Sequence, residues 1–235
     1  MNDALPLWAA QLAVFDTETT GVDTQHARIV SASIAVLGEQ GEVRERYDWL
    51  IDPGVEIPDA AARVHGITTE VARASGIDAA VGIAQIIDRL RDMIDRGFPV
   101  VIYNAPFDLT LLRHEAARHG IDWALSPAPI IDPLIIDKQV DRYRKGKRTL
   151  DVVAAHYAVE LATAHDAGED AIAAGRVAQA LARQYASTLP SELSALHQAQ
   201  IDWARAQAEN FQEYMRRVRD PHFVAEGTWP MRERV

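Results

Sequence analysis

Three strand-like runs stand ahead of the first helical pattern, and that order confines the chain to few folds. Residues 12–15 form a short apolar run that ends at Asp16, 28–37 (RIVSASIAVL) is rich in β-branched residues, and 42–51 (EVRERYDWLI) alternates in part. Gly38 and Gly41 fit a hairpin turn between the second and third runs. The simplest arrangement is an antiparallel set of three strands. After a loop at 53–58, short helices are predicted at 59–64 and 69–74, on either side of Gly66. Val81, Ile83, Ile86, Ile87, Leu90 and Ile94 have helical spacing, and Gly97 ends that helix. Residues 99–103 (PVVIY) read as a fourth strand, 104–119 as a helix and Ile130–Ile131 as a short fifth strand, with further helices at 133–143, 149–157 and about 169–185. The expectation is an α/β fold: a mixed five-stranded sheet, three antiparallel strands followed by parallel ones, flanked by helices.

Pro190 marks a boundary between residues 1–188 and a C-terminal extension, 189–235. In the extension Leu193, Leu196, Ala204, Ala208, Phe211, Met215 and Val218 recur every three or four residues, the stripe of a long helix that packs on the main body or on a partner helix. Residues 220–235 lack periodicity and read as an irregular tail.

With 235 residues, 48% of them hydrophobic, a continuous core is within reach. No cysteine is present, which excludes disulfides and thiolate metal sites. The first residues lack the basic start and apolar run of a signal peptide, and no uncharged stretch is long enough to span a bilayer, so the expectation is a soluble, cytoplasmic protein with no membrane partner. The formal net charge of −10 argues against a passive nucleic-acid binder. It does not argue against a metal-dependent enzyme acting on phosphates, whose site gathers carboxylates and whose bound cations reverse the local field.

Four carboxylates and a histidine stand out by context. Asp16 and Glu18 lie in FDTETTG, where residues two apart on an extended chain point the same way. Asp108 lies in YNAPFD, in the first turn of the helix after the fourth strand. His165 and Asp170 lie in AHDAGEDA, where a loop enters a helix. Strand ends and helix starts are where open α/β sheets build sites. Clustered carboxylates suit hard divalent cations such as Mg2+. A lone D-x-E is weak, because acidic pairs at strand ends are usually solvated or cap helices; three such motifs in order, each on a suitable element, are a stronger signal.

FDTETTG, YNAPFD and the H-x-x-x-x-D of His165 and Asp170 resemble the three motifs of the DEDDh 3′–5′ exonucleases, which include the bacterial proofreading-subunit type, ribonuclease T and oligoribonuclease. The segment 64–68 (VHGIT) is similar to one found among the proofreading-type members. The resemblance covers roughly residues 12–185 and holds at all five defining positions. It implies a ribonuclease H-like fold and, over 1–188, an exonuclease domain that releases nucleoside 5′-monophosphates from the 3′ end of DNA or RNA. It further implies two metal ions, Mg2+ or Mn2+, held by Asp16, Glu18, Asp108 and Asp170, with His165 as the general base. A nucleic-acid strand is the implied substrate, and a DNA polymerase or a second copy of the chain is a candidate partner.

Other residues carry paired readings. Asn104 caps the helix after the fourth strand or helps position Asp108 and substrate. Thr17, Thr19 and His65 line the nucleotide pocket or serve only the local backbone. Phe107 reads as core, Asp132 as the cap of the next helix, and Asp166 and Glu169 as solvated. Arg142, Arg144, Lys145, Lys147 and Arg148 form the densest basic run: a solvated face, or a contact for the phosphate chain. A haloacid-dehalogenase-type phosphatase would have Asp where Glu18 stands, and a decayed, non-catalytic module would have lost one of the five positions. A polymerase-tethered interaction subunit and the choice between DNA and RNA stay open.

Overall fold

The computed structural model describes residues 5–123, 125, 129–162 and 165–232. Its centre is a mixed sheet ordered β4-β3-β2-β1-β5-β6. Strands β1 (Leu12–Thr19), β2 (Ile29–Leu37) and β3 (Val43–Asp52) form the expected antiparallel set, while β5 (Val100–Val101) runs parallel to β1, and β6 (Ile130–Ile131) parallel to β5. Among the described residues the sheet has six strands rather than the five expected. The added β4 (Ile77–Asp78) pairs in parallel with Ile51 and Asp52 at the edge; two residues leave no periodicity to read in the sequence.

Alternation along β1 sorts its side chains onto two cores. Ala13 and Phe15 join a cluster built with α4 (Ala79–Asp95) and α5 (Ala105–Arg118), while Leu12 and Val14 join one built with α8 (Ala167–Gln184). Each fully buried Leu, Ile or Phe contributes about 1.5–3 kcal/mol. Gly175 lets α8 lie close on the sheet: a Cβ there would stand 2.5 Å from side-chain atoms of both Val14 and Leu37. An alanine would overpack this contact at a cost of about 1–3 kcal/mol.

Between β3 and β4 lie the short α2 (Asp59–His65) and α3 (Thr69–Ser75), and α1 (Leu7–Ala10), not foreseen from the sequence, precedes β1. Asp132 caps α6 (Pro133–Val140) as expected, accepting from Leu134 N–H. That helix stops at Val140, short of the expected 143, because Arg144 turns back onto the buried carboxylate of Asp137. The short α7 (Leu150–His156) follows. Helix α9 (Leu193–Val218) carries the stripe expected after Pro190. Its first half packs inward through Leu196, Gln200 and Ala204, while Phe211 and Val218 are exposed. The irregular tail folds back and buries Trp229; its last three residues lie outside those described. Among the described residues no helix is long and apolar enough to cross a membrane.

Candidate functional site

The alternation that builds the cores also builds the site. Asp16 and Glu18 share a face with Leu12 and Val14, the face covered by α8, and Asp170 lies in the first turn of α8. Ligand oxygens of Asp16, Glu18 and Asp170 all lie within 4.8 Å of one another. The acids sit within β1 rather than beyond its end, opposite Ser33 and Ser31 of β2.

Thr17 points the other way, toward α5, and its hydroxyl donates to Asp108 Oδ1 at 2.6 Å. Space for Asp108 arises because β5 pairs only with Ala13 and Val14, so the first turn of α5 takes up the flank of β1 that a longer β5 would occupy. Asp108 is 3% exposed.

His165 adopts a left-handed backbone (φ 66°), which turns its N–H onto Asp170 Oδ2 at 3.2 Å. Its ring belongs to an exposed residue and lines an open cleft of about 370 Å³ with Glu18, Ser31, Arg63 and His65. His65 accepts Ile67 N–H on Nδ1, and its ring stands against the backbone of Thr19. Burial lowers the pKa of His65, and the nearby His165 adds to the effect.

Electrostatically the site is frustrated. Burial, then Asp108, Asp170 and Glu18, push Asp16 well above the usual carboxylate range. Glu18 is pushed up to about 7 by burial, then by Asp170 and Asp108. Asp108 also reaches about 7, by burial working against the Thr17 hydrogen bond. Asp170 is raised, again chiefly by burial. Among the described residues, no Lys or Arg forms an ion pair with any of the four, and Asp170 Oδ1 is buried with no hydrogen-bond partner. An unpaired buried anionic oxygen is costly. The donor set is all oxygen and anionic, which fits a hard divalent cation.

Several expectations need correction. Asn104 precedes α5 in a left-handed conformation (φ 64°) and makes no side-chain cap; its N–H and that of Ala105 are instead taken by Asp132, both at 3.0 Å. Asp132, read only as the cap of α6, therefore serves two helices. Asp166 caps α8 and, with Glu169, faces Arg46, so neither is merely solvated. In the basic run, Arg144 and Arg148 are turned inward onto Asp137, and only Arg142, Lys145 and Lys147 stay exposed. The hydroxyl of Thr19 is bonded to Gly21 C=O. Phe107 packs on the core, as expected.

The site is thus an acidic cluster on β1 and the first turn of α8, with Asp108 and His165 on neighbouring elements of a mixed α/β sheet. The exonuclease family model (RNase T) matches residues 13–178, and the chain belongs to that family. All five motif positions lie in the matched range, whereas α9 and the tail lie outside it. The chain is 29% identical over 192 residues to a PolC-type DNA polymerase III of Lacticaseibacillus paracasei, covering 80% of this chain and 13% of that protein. It is 33% identical over 137 residues to a DNA polymerase III subunit epsilon-like protein of Rhodobacter capsulatus, covering 57% of this chain and 18% of that one. It thus spans less than a fifth of either relative's length. Among solved structures, exonuclease I of Methylocaldum szegediense superposes with a TM-score of 0.63 at 21% identity, over 88% of this chain and 45% of that one. Exonuclease I of E. coli, in complex with a dA16 oligonucleotide, gives 0.60 at 20% identity, over 76% and 43%. The shared architecture is the mixed, helix-flanked sheet.

Proposed function

We propose that the chain is a divalent-metal-dependent 3′–5′ exonuclease that releases nucleoside 5′-monophosphates from the 3′ end of a DNA or RNA strand. The observation that carries this is the convergence of Asp16, Glu18 and Asp170 oxygens within 4.8 Å, with no cationic side chain among the described residues paired to them. Asp16, Glu18, Asp170 and Asp108 would hold two ions, Mg2+ or Mn2+. Bound there, such ions neutralise the clustered charge and stabilise the attacking and leaving oxygens of a phosphoryl displacement.

The chain's own groups supply the rest. His165, on the exposed rim beside Asp170, takes the proton of the attacking water; imidazole suits that role because its unperturbed pKa, about 6.5, is near neutral. As the new P–O bond forms, the bond between phosphorus and the 3′ oxygen breaks, leaving a shortened strand with a 3′-hydroxyl. Thr17 keeps Asp108 turned toward β1. His65 lines the cleft in which a terminal nucleotide would lie, the backbone of Thr19 stands against the His65 ring, and Asn104 precedes the helix that carries Asp108.

The deciding experiment is a gel assay of 3′- and 5′-labelled single-stranded and duplex DNA and RNA with added Mn2+. Stepwise shortening from the 3′ end, abolished by EDTA, is expected; rapid cutting of a circular single strand would contradict the proposal. Similarity to a segment of a PolC-type polymerase favours a compatible addition, in which this activity edits for a polymerase. Recovery of a polymerase with the tagged protein from cell extract tests that addition.

A further inference from the structure

We propose that the loop between α6 and α7 is an arm that grips the strand behind its 3′ end, with Tyr143 as a stacking platform and Arg142, Lys145 and Lys147 as phosphate contacts. This rests on the exonuclease assignment and adds to it a strand-binding surface. Tyr143 is 91% exposed, an unusual placement for a large aromatic ring. Arg142, Lys145 and Lys147 are exposed, and among the described residues none makes a hydrogen bond or ion pair. In a chain of net charge −10, free cations clustered about a free ring complement a polyanion with stacking bases.

The loop's base is rigid. Arg144 and Arg148 both donate to Asp137 Oδ2 at 2.6 Å, and Tyr157 donates to Asp137 Oδ1 at 2.8 Å. Arg148 C=O accepts from Tyr103, the residue just before Asn104, at 2.7 Å. The arm therefore springs from the carboxyl end of the sheet, beside the start of the Asp108 helix.

The test is anisotropy of a fluorescein-labelled oligo-dT in EDTA, which needs no turnover. Replacing all three cations by glutamine should lower the slope of log K against log salt by about 2, from about 0.7 per lost phosphate contact. Tyr143→Ala should weaken binding about 5- to 100-fold. Both variants should raise KM for a strand while sparing hydrolysis of the p-nitrophenyl ester of thymidine 5′-monophosphate. Parental affinity and salt slope in the variants, or equal loss on the small ester, would overturn the arm. A parent that binds the strand but hydrolyses nothing would sink the exonuclease assignment and leave the arm standing.

A separate set of contacts points to the C-terminal tail as a brace that positions Asp108, with Asp132 and Trp229 as positioning residues. The carboxylate of Asp132, fully buried, accepts four donors: the N–H groups of Asn104, Ala105 and Leu134, and Trp229 Nε1 at 3.2 Å. Its own N–H donates to Gln200 of α9 at 2.7 Å. Further along α5, Arg232 N–H donates to Thr110 Oγ1 and Arg113 donates to Arg232 C=O. The tail's two attachments straddle Asp108, one of them holding the left-handed Asn104 in place. Trp229→Phe keeps the ring and removes the N–H. Amide exchange at 104–108 should quicken about 10-fold and kcat fall about 10-fold with KM unchanged, as when outer partners of a metal site are lost. Unchanged exchange, or faster exchange with parental kcat, would overturn the brace; the exchange readout stands whether or not the protein is a nuclease.

Discussion

Two groups of acids in this fold are treated differently. Asp137 is fully buried and held by Arg144, Arg148 and Tyr157; Glu115, 1% exposed, is held by Arg28 and Arg118. Each of these sites carries its own cations. Asp16, Glu18 and Asp170 bring oxygens within 4.8 Å of one another; neither they nor Asp108 have a paired cation among the described residues, and burial raises the pKa values of all four. At Asp137 and Glu115 the fold brings guanidinium groups to a buried carboxylate, while at Asp132 it brings four N–H donors. Where it leaves several uncompensated, the missing charge must come from outside, and that is the physical case for divalent cations.

The comparison breaks first at the site. Asp16→Ala and Asp170→Ala should reduce 3′ degradation to background with the circular dichroism of the parent, and EDTA should do the same to the parent; parental activity in Mn2+ would end the metal-site assignment. His165→Ala should lower kcat by about 10²–10⁴-fold, the range for a positioned base, with metal binding intact. A drop under about threefold would remove it from that role.

Asp137→Ala tests the compensated side. It removes the carboxylate shared by Arg144 and Arg148, leaving Arg144 with Asp141 alone and Arg148 with backbone carbonyls, and should destabilise the fold by about 3–5 kcal/mol in urea unfolding. An equal loss on Glu18→Gln in EDTA would erase the contrast, because that change should leave the metal-free protein as stable or more so.

A smaller effect appears in pH. Glu18 and Asp108 titrate near 7 when folded, against ordinary values of 4.5 and 3.8. The folded protein then binds more protons than the unfolded chain between about pH 4 and 7, so these groups lower stability as pH rises through that window. In EDTA the melting temperature should fall from pH 5 to pH 7.5, and saturating Mn2+ should flatten or reverse the trend. A metal-free protein equally stable at both pH values would contradict the frustrated cluster.

Most of this contrast was legible in the sequence on one side only. The five motif residues announced themselves by order and context, and period-two alternation correctly joined Asp16 with Glu18. The same alternation sends Thr17 to Asp108, a contact that needs the strand order to be known. The basic run concealed its division of labour: nothing in RYRKGKR separates the arginines bound to Asp137 from the free Arg142, Lys145 and Lys147. Asp132 read as an ordinary helix cap because four of its five hydrogen-bonding partners, Asn104, Ala105, Gln200 and Trp229, are 27 to 97 residues away. Local chemistry marks turns, caps and motif acids. Long-range hydrogen bonds leave no period to detect.

The central claim is that the uncompensated acids hold divalent ions. A crystal grown with Mn2+ and thymidine 5′-monophosphate, measured at the manganese absorption edge, tests it directly. Two anomalous peaks about 3.5–4 Å apart, bounded by Asp16, Glu18, Asp108 and Asp170, are expected. A cluster without a peak, its carboxylates bonded to one another, would contradict it.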